Sequence, residues 1–330
     1  MARYALYIGR FQPYHLGHQH VLEEASKIAD KIIVALGSAN RPQTFKDPFT
    51  ISERKQMIPD EMNGKEIIKA ETKDYAADGQ WILSIQDIVD DIAGDNDIVL
   101  VGYFKDATSY YLRILPFTLY QVSNYKHISA TKIRNEMFEN ETIPYNLIPQ
   151  STKVVLDKWI QSETFKRLQE EYQFIKNYKK QFECCPFPPV FTTTDAVVYC
   201  KGHILLVKRK FNPGKGLWAL PGGFVNIKQT LESSCLRELK EETGIKVNKN
   251  ILRNSIKMSK VFDNPSRSLR GRTITHAFYI HLTFSTLPEL KASTDAKDAQ
   301  WIPVNKIYSM ENQLFEDHFF IIDYFMNLFL

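Results

Sequence analysis

The stretch that most constrains the fold runs from Pro221 to Lys246 and reads PGGFVNIKQTLESSCLRELKEETGIK. Apolar residues recur in it at helical spacing, which predicts an amphipathic helix with one face toward a core. Glycines stand on both sides of this helix, at Gly222, Gly223 and Gly244. They favour tight turns at both ends, so the sequence predicts a loop–helix–loop unit of set length.

Three carboxylates, those of Glu238, Glu241 and Glu242, crowd the end of the predicted helix beside Arg237. Carboxylates this close repel one another unless a cation neutralises them. Hard divalent cations take oxygen ligands, and Mg²⁺ often bridges protein carboxylates to a substrate phosphate. Composition alone also allows a solvated acidic helix face. The flanking glycines favour the metal site.

This stretch resembles the Nudix box, G-x5-E-x7-R-E-U-x-E-E-x-G-U, where U is aliphatic. Every fixed position is in register except the first glutamate, which is Gln229 here. The resemblance implies hydrolysis of a nucleoside diphosphate linked to another group, with Mg²⁺ or Mn²⁺ held by the catalytic Glu238, Glu241 and Glu242. It also implies that Arg237 orients these carboxylates at the substrate site. Gln229 is expected to slow the reaction without changing the fold.

The length of 330 residues predicts two domains. The segment CCPFPPVF carries three prolines and cannot continue a helix, so it is interpreted as an extended linker. We therefore predict a first domain over residues 1–183, ending in a long charged helix from about 152 to 180. A linker over 184–190 and a second domain over 191–330 follow.

Charge and cysteine usage exclude several classes of protein. With 42 basic and 38 acidic residues, the charge is too even for a dedicated nucleic-acid binder and suits small phosphorylated ligands. The four cysteines form no CxxC pair, which predicts reduced thiols and a cytoplasmic protein. No apolar run approaches the length of a membrane helix, and the N-terminus is too soon polar for a signal peptide. Whether the chain forms a homo-oligomer is left open.

Strand and helix patterns alternate in the first half of the chain. Buried strands are predicted at Tyr4–Ile8 and Lys31–Leu36, with a glycine-bearing turn and a helix between them. This predicts an α/β doubly wound parallel sheet, with the ligand site beyond the carboxyl ends of its strands. The second half shows short strands and one acidic helix, which predicts a mixed sheet of the α+β kind.

Two histidines, His15 and His18, stand in the turn GRFQPYHLGH between the first strand and the first helix. A helix start already favours an anion, and an imidazolium there could bind a phosphate and stabilise charge during its transfer. Two alternatives stay open from the residues alone. His20 could complete a metal site with the pair, or the two histidines could have a structural role.

A second helix start, ISATKIR, carries Ser129, Thr131 and Arg134. Two hydroxyls and an arginine fork could cradle a phosphate. Ordinary helix capping by Ser or Thr is the alternative interpretation.

Together these two segments resemble the HxGH nucleotidyltransferases, and GRFQPYHLGH resembles the archaeal-type nicotinamide mononucleotide (NMN) adenylyltransferases. The resemblance implies a Rossmann-like fold with ATP as co-substrate and His15, His18 and Arg134 as catalytic residues. The residues implied in ATP binding are Gly9, Arg10, Phe11, Ser129 and Thr131, with Lys105 and Asp106 in VGYFKDATSYYL on the adenosine side.

Three further residues are implied by the same resemblance to receive NMN. These are Arg54 in the segment GSANRPQTFKDPFTISERKQMI, and Asp74 and Trp81 at the two ends of DYAADGQW. An indole over a nicotinamide ring is a favourable aromatic–cation contact. A buried aromatic at a helix start is the alternative interpretation of Trp81.

In the second half, PGKGLWALPGGFV and TDAKDAQWIPV resemble segments of Nudix enzymes that act on ADP-ribose. The segment FDNPSRSLRGRTIT supplies Arg267, Arg270 and Arg272, which could clamp a pyrophosphate. A solvated basic loop is equally compatible with its composition.

The two resemblances predict a bifunctional enzyme whose partners are the small nucleotides NMN, ATP, NAD and ADP-ribose, with no nucleic acid and no membrane. The first domain would join NMN to ATP, giving NAD and pyrophosphate. The second would hydrolyse ADP-ribose to AMP and ribose 5-phosphate. One rival hypothesis makes the second domain an ADP-ribose sensor with little hydrolysis, because of Gln229. Another gives the transferase a different phosphate substrate.

Overall fold

The computed structural model describes residues 3–105, 107–291 and 296–329, which form two compact units, Met1–Gln169 and Glu170–Leu330. The division between the units lies within a helix, upstream of the linker predicted at 184–190. No helix in the described part of the chain is long and apolar enough to cross a membrane. All four cysteines are free thiols.

The first unit is built on a six-stranded sheet in the order β3-β4-β2-β1-β5-β6. All neighbours are parallel except β3 and β4. The strands are β1 Arg3–Gly9, β2 Lys31–Leu36, β3 Glu61–Met62, β4 Lys65–Glu71, β5 Asp97–Gly102 and β6 Thr118–Gln121. The chain runs to one side of β1 through β2 and β4, and to the other side through β5 and β6. The predicted doubly wound sheet is confirmed, and its switch point lies between β1 and β5.

The α-helices that begin in this unit are α1 Leu16–Ile28, α2 Ile51–Met57, α3 Asp78–Ala93, α4 Tyr111–Ile114, α5 Ala130–Asn140, α6 Gln150–Trp159 and α7 Glu163–Lys180, and α7 continues into the second unit. The buried face of α3 packs on Leu6 and Ile8 of β1 and on the same face of β2. Because side chains alternate along a strand, Ala5 and Tyr7 point to the other face, where α1 contacts β1 and β2. Both faces of the central strands are therefore buried, which explains their continuous apolar runs.

The single helix predicted from 152 to 180 was wrong, because α6 ends at Trp159 and α7 begins at Glu163. The Ser162 hydroxyl accepts a hydrogen bond from the Phe165 N–H at 3.1 Å and so starts the new helix. The break also brings Trp159 and Phe165 together on Phe138, with the Phe138 and Phe165 rings 5.6 Å apart. Helical periodicity continues through a break of this kind, so it did not reveal it.

The second unit contains a mixed seven-stranded sheet in which the path β11-β12-β7-β8-β13 is extended by β10 on β7 and β9 on β8. The strands are β7 Phe191–Cys200, β8 His203–Arg209, β9 Trp218–Ala219, β10 Gly222–Phe224, β11 Ile256–Phe262, β12 Thr273–Leu282 and β13 Ala296–Pro303. Its helices are α8 Leu231–Thr243, α9 Lys249–Asn254, α10 Val304–Tyr308 and α11 His318–Phe329.

Two helices enclose this sheet. Cys235, Leu236 and Leu239 of α8 form a core on one face, and Ile321 and Phe325 of α11 belong to a second core on the other. The predicted α+β fold and the predicted helix inside the Pro221–Lys246 stretch are confirmed. Gly244 ends α8 in the left-handed conformation at φ 56°, and a side chain there would collide with the backbone of Lys291.

Candidate active sites

The turn after β1 is held open by side chains that bind backbone. Gln12 donates from Nε2 to the Phe49 carbonyl and accepts from the Phe49 N–H, each at 2.9 Å. The Phe11 ring lies so close to Gly9 that a side chain at Gly9 would collide with it. The turn after β1 thereby places His15 and His18 at the switch point of the sheet.

His15 and His18 stack in this turn, with ring centroids 3.6 Å apart. His15 Nδ1 accepts from the N–H groups of Gly17 and His18, and His18 Nδ1 accepts from the His15 N–H at 3.2 Å. An imidazole nitrogen that accepts cannot carry the proton, so each neutral ring bears its hydrogen on Nε2. Capping and the predicted phosphate contact therefore use different nitrogens of the same residues.

The predicted imidazolium charge is corrected by the structure. Burial, with Lys105 nearby, lowers the pKa of His15 to about 3, and burial lowers that of His18 well below its usual value. Both rings are therefore neutral donors at neutral pH. Positive charge at this site comes instead from Lys105 and from Arg134, whose pKa burial lowers only to about 10.

Arg134 reaches the histidine turn from α5. Its Nη1 donates to the Gln12 carbonyl at 2.5 Å and its Nη2 to the Thr131 hydroxyl at 3.2 Å. Ser129 occupies the N-cap of α5, but its hydroxyl makes no capping hydrogen bond. The ISATKIR segment is thus brought beside the HLGH segment, as a shared phosphate site requires.

Arg54 is buried, with only 2% of its surface exposed, and backbone carbonyls occupy its guanidinium. Its Nη1 donates to the carbonyls of Arg10 at 2.8 Å and Gly37 at 2.6 Å. One arginine side chain therefore hydrogen-bonds both the turn after β1 and the turn after β2 and holds them together. The role predicted for Arg54 is thus corrected to support of the site's walls.

The other predicted NMN contacts lie near the surface. Asp74 accepts from the Ser38 hydroxyl at 2.9 Å and from Arg41 Nε at 2.7 Å. Trp81, on the first turn of α3, is half-buried edge-on to Tyr111 with 6.0 Å between the ring centroids. Asp106 lies outside the described residues.

Sequence reasoning missed two cations of the first unit. Arg41 pairs with Asp74, and Lys46 is partly buried near Arg10 and Arg134, so that burial chiefly lowers its pKa. Both lie in the loop after β2, in the segment already singled out for Arg54. The sequence signal that could have identified them was their positive charge within a segment already predicted to contact a ligand.

In the second unit, two of the three predicted carboxylates face β10. Glu242 accepts from the Gly222 N–H at 3.0 Å, and a Cβ added at Gly223 would lie 2.8 Å from Cδ of Glu238. Burial raises the pKa of Glu242 to about 7, and the nearby charge of Glu238 adds to that shift. The two glycines thus allow a pair of carboxylates to pack on the strand.

Glu241 points elsewhere. More than half of its side chain is exposed, at 56%, and it accepts from Arg237 Nη1 at 2.6 Å. Arg237 also donates from Nη2 to Glu238 at 2.7 Å and from Nε to Gln229 Oε1 at 3.0 Å. The predicted orienting role of Arg237 agrees with these contacts.

The donor set here suits a hard divalent cation, because it offers only carboxylate oxygens and the Glu238–Glu242 pair bears mutually repelling charge. Within the ranges that the structure describes, no three His, Cys, Asp or Glu side chains converge as a ready-made metal site. The predicted triad is therefore assembled only as the Glu238–Glu242 pair, with Glu241 held by Arg237.

A cavity of about 290 Å³ opens beside Glu242. Its charged and polar lining includes Asp195, Arg209, Arg267, Arg270, Glu316 and His318. Arg270 lines this cavity and lies over the Phe224 ring at 5.0 Å. Arg267 instead pairs with Asp317, and Arg272 binds Asp263 and is not among the lining residues. The prediction for Arg272 is therefore corrected.

Sequence reasoning missed Asp195, Arg209, Glu316 and His318. They come from β7, β8, the segment before α11 and the first residue of α11, and the two strands are far from α11 in sequence. Only Arg209 carried a local signal, as a charge at the end of an apolar strand just before PGKG.

Two family models match the chain. The cytidylyltransferase-like family covers residues 6–136, and the NUDIX domain family covers residues 191–325. Each match contains one of the two candidate sites.

Relatives with assigned activities match the two halves of the chain separately. The nicotinamide/nicotinic acid mononucleotide adenylyltransferase of Acinetobacter baylyi is 32% identical over 176 residues, 52% of this chain and 93% of its own. The ADP-ribose pyrophosphatase of Methanocaldococcus jannaschii is 41% identical over 115 residues, 34% of this chain and 62% of its own.

Solved structures of a bifunctional enzyme match both units. A bifunctional NMN adenylyltransferase/ADP ribose pyrophosphatase from Francisella tularensis, crystallised with AMP and a manganese ion, is 34% identical and has a TM-score of 0.93. The alignment covers 99% of each chain. A second crystal structure of that bifunctional enzyme gives 35% identity and a TM-score of 0.94.

Proposed function

The chain belongs to the family of bifunctional NMN adenylyltransferases/ADP-ribose pyrophosphatases, and we propose that each unit carries one of these two activities. The first unit joins NMN to the adenylyl group of ATP and releases pyrophosphate. The second hydrolyses ADP-ribose to AMP and ribose 5-phosphate. Both reactions belong to NAD metabolism, and the four free thiols suit a cytoplasmic enzyme.

The stacked His15–His18 pair carries the proposal for the first unit. Both Nε2 hydrogens are fixed as donors, and Lys105 and Arg134 supply positive charge at the same place. When the NMN phosphate attacks the α-phosphorus of ATP, negative charge grows on the phosphoryl oxygens and on the departing pyrophosphate. Donors that are already oriented stabilise that charge without reorganisation.

No protein base is needed in this step, because the attacking NMN phosphate is already an anion. Trp81 and Asp74 are proposed to hold the nicotinamide nucleotide, while Ser129 and Thr131 lie at the start of α5 for the ATP phosphates. The role of the protein is thus to position and stabilise the reactants.

The Glu238–Glu242 pair against Gly222 and Gly223 carries the proposal for the second unit. These two carboxylates would hold Mg²⁺ or Mn²⁺, which would neutralise the diphosphate and polarise its phosphorus–oxygen bonds. Arg237 keeps Glu238 in place, and Glu242 lines the cavity that would receive the substrate. The sensor alternative is not favoured, because Glu238 is paired with Arg237 and Glu242 is held by the Gly222 N–H beside it.

Crossed variants of the full chain test both assignments. His18→Ala should abolish most NAD formation from NMN and ATP while AMP release from ADP-ribose continues. Glu238→Gln should have the opposite effect. The assignment of one reaction to each unit would fail if a folded variant lost both activities. It would also fail if His18→Ala kept NAD formation and Glu238→Gln kept AMP release.

A further inference from the structure

Arg209, the last residue of β8, is fixed on the wall of the second unit's cavity. Its Nε donates to the Pro213 carbonyl at 2.8 Å. The centre of its guanidinium lies 4.0 Å from the centroid of the Phe315 ring. One hydrogen bond and one aromatic face therefore set both the position and the plane of this group.

The loop after Arg209 is built to keep this arrangement. Gly214 has φ 73°, and a side chain there would collide with the Phe315 ring. The Gly214 N–H donates at 2.8 Å to the carboxylate of Glu171, which is only 2% exposed. Because the loop is anchored on a buried acceptor, Arg209 is pre-organised and pays little entropy on meeting a ligand.

The carboxylates of the cavity each accept a hydrogen bond from a neutral group, and the charges of Arg209 and Arg270 act on them through space. Asp195 accepts from Thr275, Glu316 from Ser268, and Glu242 from the Gly222 N–H. In the described part of the chain, the hydrogen bonds and ring contacts of Arg209 and Arg270 are to neutral groups. The other three arginines near this site have carboxylate partners: Arg237 binds Glu238, Arg267 binds Asp317 and Arg272 binds Asp263.

We propose that Arg209 is a substrate-binding residue that, with Arg270, holds the diphosphate group of the second unit's substrate. Two guanidinium forks facing one cavity match a group with several anionic oxygens, and Arg binds such oxygens in pairs. Glu242 lines the same cavity, so this places the diphosphate within reach of the hydrolytic carboxylates. This inference rests on the proposed function of the second unit, and it assigns to a residue of β8 the role that sequence analysis predicted for Arg272.

The test compares Arg209→Gln and Arg209→Lys with the matched control Arg272→Gln. ADP-ribose and adenosine are titrated calorimetrically into each full-length protein in EDTA, so that binding is measured without hydrolysis. Arg209→Gln loses hydrogen bonds to a charged group, so its Kd for ADP-ribose should rise by about tenfold or more. Arg209→Lys should lie between Arg209→Gln and the native chain, and adenosine binding should not change. With metal present, KM for ADP-ribose should rise in Arg209→Gln more than kcat falls.

Each other outcome overturns the inference. If Arg209→Gln binds ADP-ribose as well as Arg272→Gln does, Arg209 does not hold the diphosphate. If ADP-ribose and adenosine binding weaken equally, Arg209 only shapes the cavity. If the native chain makes NAD but neither binds nor hydrolyses ADP-ribose, the proposed function of the second unit fails as well, which distinguishes the two failures.

Discussion

The amide oxygen of Gln229 accepts a hydrogen bond from Nε of Arg237 at 3.0 Å. Gln229 occupies the position where the Nudix box has its first glutamate, and Arg237 uses its remaining nitrogens on Glu238 and Glu241. A neutral oxygen is therefore sufficient to orient this arginine. The missing negative charge leaves the Glu238–Glu242 pair in place.

Gln229→Glu should therefore raise kcat for ADP-ribose hydrolysis by about tenfold at most, which corresponds to roughly 1.4 kcal/mol. Gln229→Leu should lower it more than Gln229→Glu raises it, because Arg237 Nε then loses its acceptor. Steady-state kinetics of the two variants and the native chain measure this. Equal rates for Gln229→Leu and the native chain would rule out the orienting role.

Acidification should destabilise the first unit through His15. Its folded pKa is lowered to about 3, against about 6.5 for an unfolded histidine, so between these values the unfolded chain binds more protons. The free energy of unfolding that neutral His15 supports is fully present above pH 6.5. Between about pH 6.5 and pH 3 it falls by about 1.4 kcal/mol for each pH unit. Urea unfolding of the first unit at pH 7.5 and 5.5 should show a smaller loss for His15→Gln than for the native chain. An identical loss would show that His15 is not held neutral.

Arg54→Met should destabilise the first unit rather than weaken NMN binding alone. The variant leaves the carbonyls of Arg10 and Gly37 without their buried donor, which costs roughly 1–3 kcal/mol. Thermal unfolding should show a lower transition for the first unit, and KM should rise for both ATP and NMN. A selective rise in KM for NMN at unchanged stability would favour the direct contact predicted from sequence.

Trp81→Ala should raise KM for NMN and leave KM for ATP nearly unchanged. The indole is half-buried beside Tyr111 at the start of α3, so part of it is packed while part stays accessible. Initial-rate kinetics with each substrate varied in turn measure the effect. Unchanged kinetics for NMN would remove the stacking role and favour the rival in which the transferase uses another phosphate.

The architecture was predictable because its signals are local. Buried strands such as Lys31–Leu36 and the capped, amphipathic α8 are specified by neighbouring residues, and Gly244 ends that helix where the sequence places it. The break at Ser162 was not predictable, since it depends on Trp159 and Phe165 meeting Phe138 across the fold.

The sites were only partly predictable for a similar reason. Motif positions such as His15 and Glu238 are fixed by spacing, and the structure places them in the turn after β1 and against β10. Whether a histidine is charged depends on burial, and whether an arginine faces a cavity depends on its partner. Arg54 binds carbonyls, Arg272 binds Asp263 and Arg209 faces the cavity, and each of these outcomes is set by tertiary contacts.

The measurement that most directly tests the claim of two working enzymes in one chain is AMP release from ADP-ribose by the native protein with Mg²⁺ or Mn²⁺. NAD formation is followed in the same preparation as a control for the fold. We expect the native chain to release AMP despite Gln229, and Glu238→Gln to abolish that release. A native chain that forms NAD but releases no AMP with either metal, and gains release only as Gln229→Glu, would contradict the claim.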